Sequence, residues 1–167
     1  LGSCRKMIKE ALITLGCSPI EQTNFPPAAG SVREMLRQRI SSCHAVIHVV
    51  GEAYGAEPQQ RSDNEPRRSY TQMEYDIACE LGKDVYTFIC DQAFPYDTHS
   101  PEDEEHRALQ QLHREKLYKL DALYEPITSR EQLEKRIYAL QIRVEQLIKV
   151  LEATQKELDE AKSRIKE

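Results

Sequence analysis

Apolar positions along this chain repeat with two different periods, and the changes of period divide it into elements. Met7, Ile8, Ala11, Leu12 and Leu15 fall at helical spacing within residues 3–15, and Gly16 follows where a left-handed C-terminal cap is wanted. "CSPIEQ" reads as a short strand and "TNFPPAAG" as a loop marked by Pro and Gly. Ser31 then caps a second helix whose inner face is Val32, Met35, Leu36 and Ile40. "AVIHVV" (45–50) is a continuous apolar, β-branched run, the pattern of a central parallel strand covered on both faces.

Residues 51–68 carry Gly51, Gly55, Pro58 and Pro66 among polar residues, which predicts a long loop. Ser69 with Gln72 forms a capping box that opens a helix closing at Leu81, before Gly82. "DVYTFICD" (84–91) is the next strand. "SPEDEEHRALQQLHREKL" places Pro and carboxylates in a first helical turn, and "ALYEPI" is a weak last strand.

Alternating helices and strands predict an α/β fold: an open parallel sheet flanked by helices, with right-handed crossovers. Such folds begin on a strand, whereas this sequence begins directly on a helix. Either a first strand precedes Leu1 in the natural protein or the sheet is smaller, and the first reading is favoured.

From Leu133 the apolar positions step by four and three through Ile137, Leu140, Val144, Leu147, Leu151, Thr154, Leu158, Ala161 and Ile165. This is a heptad seam. β-Branched residues and leucine at alternate seam positions favour a parallel two-stranded coil, with Glu157 and Lys162 placed to pair across it. The predicted organisation is an α/β domain over 1–128 and a long helix over 129–167 that joins two copies into a homodimer or a higher homo-oligomer. A rival arrangement, supported by the wider apolar face at Ile142, Ile148 and Val150, packs the first turns of that helix back on its own domain.

The 167 residues suffice for one sizeable core, and a mean hydropathy of -0.65 reflects the polar C-terminal segment. A net charge of -5 gives no electrostatic reason to expect a nucleic-acid partner. Five cysteines without a C-x-x-C spacing suit reduced thiols and a cytoplasmic location. No apolar run is long enough to predict a membrane span.

On a helix starting at Ser69, residues Tyr70, Met73, Glu74, Ile77, Ala78 and Leu81 share one stripe. Glu74 therefore sits among apolar positions, which is costly for a carboxylate unless it is paired or faces a cavity. One reading pairs it with Arg67 or Arg68. The other makes it an active-site carboxylate, because ligands of open α/β sheets bind off the carboxyl ends of strands, where the "GEAYGAEP" loop and this helix would meet.

"AVIHVVGEAYG", a loop, and "SYTQMEYDIACELGKDVYTFICD" together resemble the third strand, third helix and fourth strand of the Toll/interleukin-1 receptor (TIR) superfamily. More closely, the chain looks like the TIR-like family of unknown function found at the N-termini of large multidomain proteins, ahead of nucleotide-binding and repeat modules. The resemblance covers residues 1 to about 127 and lacks the family's first strand. It implies a signalling or assembly module of a bacterial defence system that hydrolyses NAD at the nicotinamide–ribose bond. The catalytic role would fall on Glu74, with Tyr70 where a tryptophan is usual and Ser69 beside it. NAD would then be a substrate, and no cofactor or metal is implied. A carboxylate near the ribose can stabilise the positive charge that develops as that bond breaks. In the loop, Tyr54, beside Gly55, would stack on a ring, and Arg67 and Arg68 would meet the pyrophosphate. The alternative is a non-catalytic interaction scaffold.

Other groupings carry less. His44 and His48 are too far apart along a strand to share a metal ion and read as edge or buried histidines. His99, His106 and His113, with Glu102, Asp103, Glu104 and Glu105, read as a solvated helix N-terminus. No P-loop and no Ser-His-Asp arrangement is present.

Overall fold

In the computed structural model, which describes residues 1–21, 31–59, 65–120 and 126–166, eight elements follow one another. They are α1 (Gly2–Thr14), α2 (Val32–Ser41), β1 (Ala45–Val50), α3 (Tyr70–Glu80), β2 (Asp84–Ile89), α4 (Glu104–Leu120), α5 (Arg130–Tyr138) and α6 (Gln141–Lys166). The architecture is mixed α/β, an open parallel sheet flanked by helices, as the periodicity predicts. β1 pairs with β2 in parallel, from Ala45 opposite Asp84 to Val50 opposite Ile89.

Local chemistry accounts for the helix ends. The Ser31 hydroxyl accepts the Glu34 N–H at 3.2 Å, and Ser69 with Gln72 completes the reciprocal capping box at the start of α3. At its far end, the Gly82 N–H reaches Cys79 O and the Lys83 N–H reaches Ala78 O, with Gly82 at φ +64°. Only glycine takes that backbone conformation without strain.

α3 is buried on two sides. Met73, Ile77 and Ala78 pack with Leu36 and Ile40 of α2, and Tyr70, Leu81, Val46 and Val85 border that cluster. Tyr75 packs instead with Val50, Ile89 and Leu117. Burying each large apolar side chain of this kind contributes about 1.5–3 kcal/mol.

Several expectations need correction. Residues 17–21 form no strand, and the predicted "TNFPPAAG" loop lies outside the described residues. Of "ALYEPI", Ile127 makes a single parallel bridge to Cys90, while 122–125 lie outside the described residues. β1 is not apolar and covered throughout: its fully buried residues are His48 and Val50, and the others are half-buried.

The long C-terminal helix is present as the heptad pattern predicts, but it is bent. α5 and α6 are separated by a turn at Ala139 and Leu140, where the Leu140 N–H bonds Ile137 O, three residues back rather than four.

By internal contacts the chain divides into two units, one of Leu1 with Gln22–Arg130 and one of Gly2–Glu21 with Glu131–Glu167. The first contains the sheet with α2, α3 and α4; the second is helical and includes α1, which the sequence pattern groups with residues 1–128. In the helical unit α1 buries Cys4 and Ala11, and α5 buries Leu133 and Ile137. Among the described residues no helix is long and apolar enough to cross a membrane.

Candidate functional site

The loop after β1 starts at Gly51, where an added Cβ would stand 3.0 Å from both Leu1 Cδ1 and Tyr96 Cε1. Its carbonyl accepts from Gln110 Nε2 at 2.7 Å and from Arg114 Nη1 at 2.9 Å. Arg114 Nη1 also reaches Cys90 O at 2.9 Å, and the Tyr96 hydroxyl donates to Cys90 O and Asp91 O. Side chains of α4 and of the loop after β2 thus occupy the carbonyls at the carboxyl ends of both strands. Further along, the Tyr70 N–H at the start of α3 donates to Ala56 O at 2.9 Å, so the "GEAYGAEP" loop and the α3 N-terminus do meet.

Around Arg67 the groups are charged and mutually satisfied. Its guanidinium donates to Glu57 through Nε and Nη2, at 2.9 and 2.7 Å, and its Nη1 meets Glu105 at 2.6 Å. Nη2 also lies 2.8 Å from His106 Nε2, which must then be the acceptor, leaving Nδ1 to face Asp103 Oδ2 at 3.2 Å. Hydrogen bonds from Arg67 hold the Glu57 carboxyl down to about 2, against the opposing pull of burial and with further help from the Tyr54 hydroxyl. Tyr54 is buried, donates its hydroxyl to Glu57 at 3.2 Å and stacks on the His106 ring at 4.8 Å. Its main-chain N–H and that of Gly55, which is at φ +83°, both donate to the Glu102 carboxylate at 2.9 Å.

A second polar cluster lies beneath. His48 and His113 face each other, Nε2 to Nε2, at 3.1 Å, and both rings contact Tyr75. Burial lowers His48 to about 3 and His113 to about 4, reinforced at His48 by the neighbouring His113 ring and at both by Lys116; Asp76 partly opposes the shift at His113. Both rings are therefore neutral near pH 7, with one Nε2–H donating to the other ring. Asp76 is flanked by Arg68 and Lys116, each at 2.9 Å. Gln72 Nε2 donates to Gln110 Oε1 at 3.1 Å and ties α3 to α4. Among the described residues no three His, Cys, Asp or Glu side chains are arranged to hold a metal ion.

The sequence-predicted residues fall into two groups. Tyr54, Gly55 and Arg67 share the cluster after β1; Ser69 is buried as the α3 cap, and Tyr70 packs toward α2. Arg68 belongs with Asp76. Glu74, half-buried on the α2-facing stripe, is not a free carboxylate. Glu57, Glu102, His106, Gln110 and Arg114 were not singled out for this site. The signal for two of them, His106 and Gln110, is the α4 stripe His106, Gln110, His113 and Leu117, at steps of four and three. The stretch predicted to be a solvated helix N-terminus is solvated on one face: Asp103, Glu104 and Glu105 are exposed, whereas Gln110 and His113 further along are buried.

No curated protein and no solved structure matches the chain. One family model does, over residues 1–146, a span that takes in the whole cluster after β1 and ends in the second turn of α6. The chain belongs to that family, described as a domain of unknown function (DUF4062).

Proposed function

We propose that the chain is a TIR-like signalling and assembly module, cytoplasmic and of a bacterial defence or stress system, that joins copies of itself through α6. The seam of α6 carries this reading. Val144 and Leu147 are half-buried, but Leu151, Leu158 and Ile165 on the same stripe are 36%, 47% and 84% exposed. Apolar surface in water costs about 25 cal/mol per Å², and a row of it at heptad spacing is covered most economically by an identical row. Glu157 and Lys162 flank the exposed part of the seam at positions that face each other in a parallel pair. Five cysteines outside any disulfide agree with a reducing compartment. Sedimentation of the intact chain beside Leu151→Glu/Leu158→Glu tests the assembly: the native chain should run as a dimer or larger and the variant at 19.3 kDa. Equal masses for the two would remove the seam from the account.

A second reading, hydrolysis of NAD by Glu74, is favoured by one observation. The carboxylate is half-buried beside Met73, Ile77 and Ala78, on a helix whose first turn meets the loop after β1. Nicotinamide release at high protein concentration, compared with Glu74→Ala, decides it. No release, or equal release from the variant, leaves the non-catalytic scaffold.

A further inference from the structure

Two sets of donors stand at the carboxyl end of β1, and both are met by acidic residues from one short stretch of chain. The Tyr54 and Gly55 N–H groups converge on the Glu102 carboxylate, each at 2.9 Å, across 48 and 47 residues of sequence. Arg67 gives its Nη1 to Glu105 while its other nitrogens hold Glu57. Adjacent main-chain N–H groups turned to one side by a left-handed glycine form the concave donor pair with which loops hold oxyanions. Among the described residues no heavy atom beyond its chain neighbours stands within 4 Å of where a Cβ of Gly55 would lie. Glu102 is half-buried and Glu105 has a side chain 66% exposed, so neither is sealed in the core.

We infer that residues 102–105 occupy an oxyanion site, with Glu102 standing where a phosphate group of a ligand would be held by the Tyr54 and Gly55 N–H groups. A phosphoryl group offers the same bidentate oxygens as the carboxylate and more charge. The chain's own carboxylate keeps the site closed by being tethered, because an intramolecular competitor lowers the fraction of molecules competent to bind. The loop before α4 thus acts as an autoinhibitory plug over the loop after β1. This goes beyond the assembly reading and needs neither self-association nor turnover by Glu74.

The test follows the amide resonances of Tyr54 and Gly55 in ¹⁵N-labelled intact protein while inorganic pyrophosphate is added. In Glu102→Ala both amides should shift saturably, at a concentration about tenfold lower than in the native chain, the factor expected from removing a competitor that fills most sites. Glu104→Ala, which removes the same charge from the exposed first turn of α4, should leave the native midpoint unchanged. A folded Glu102→Ala spectrum in which these two amides stay still overturns the inference, as does an equal gain in Glu104→Ala. If Glu102→Ala does not give a folded spectrum, Glu102→Gln keeps one acceptor oxygen and takes the same reading. Loss of dimer or absence of nicotinamide release moves neither amide, so those failures are distinguishable from this one.

Discussion

Around β1 the chain buries two histidines and two glutamines, while along the last half of α6 it exposes Leu151, Leu158 and Ile165. Among the described residues no buried side-chain nitrogen or oxygen lacks a hydrogen-bond partner, so the polar interior of the α/β unit is self-sufficient. The helical unit is the reverse case, since the single chain buries the start of its apolar seam, Leu133 and Ile137, and leaves the far part exposed. A region that completes its own bonds needs no partner to fold, and the periodic apolar stripe left in water is the surface on which the proposed self-association rests.

Substitutions should separate the two regions most sharply in the core. Ile77→Ala removes a side chain with no exposure from the α2–α3 cluster and should lower unfolding free energy by about 2–5 kcal/mol. Leu158→Ala, on the exposed seam, should change the stability of the dilute chain by less than about 0.5 kcal/mol. Urea unfolding of both variants measures the contrast, and comparable losses would mean that the seam already serves the single chain's own fold.

Acid should act on the polar interior alone. His48 and His113 have folded values of about 3 and about 4, below the ordinary 6.5, so the fold prefers their neutral forms. Their contribution is complete above pH 6.5 and is lost as pH falls through the window toward 4, because the unfolded chain then binds more protons. The slope should be about 1.4 kcal/mol per pH unit for each ring that stays neutral in the fold. Glu57 adds nothing above its ordinary 4.5, being ionised in both states there. In His113→Phe the slope between these limits should fall by about one proton. A flat profile in the native chain would show that the rings are charged without cost.

Smaller still is the effect expected at the link between α3 and α4. Gln110→Ala leaves the Gln72 amide without its 3.1 Å acceptor, and Gly51 O keeps only Arg114, a loss of about 1–3 kcal/mol. Thermal unfolding checks it, and an unchanged midpoint would place the link at the surface rather than inside.

The same contrast explains what could be read before the fold was known. β1, β2, α2 and α3 were legible because caps, left-handed glycines and β-branched runs act over a few residues, as Ser69 with Gln72 does. The turn at Ala139 and Leu140 was not, since neither residue breaks helices and the heptad passes through them unaltered. At the site Arg67 and Tyr54 could be picked out by type. Their partners Glu57, Glu105 and His106 could not, because those contacts span 3 to 52 residues and depend on how α4 is laid across the sheet end. His113 and Gln110 carry a readable signal, a polar pair on the inward stripe of α4, which the acidic run Glu102–Glu105 before them obscures.

The claim on which the rest turns is that the α6 seam pairs with that of a second copy, parallel and in register. Spin labels introduced by cysteine-independent chemistry at Lys156, and separately at Ser163, occupy the same outward heptad position one repeat apart. Dipolar spectroscopy of the intact protein should give one well-defined distance between copies, equal for the two sites. Distances that differ between the sites would make the pairing antiparallel or out of register, and no dipolar signal at either would contradict self-association through this helix.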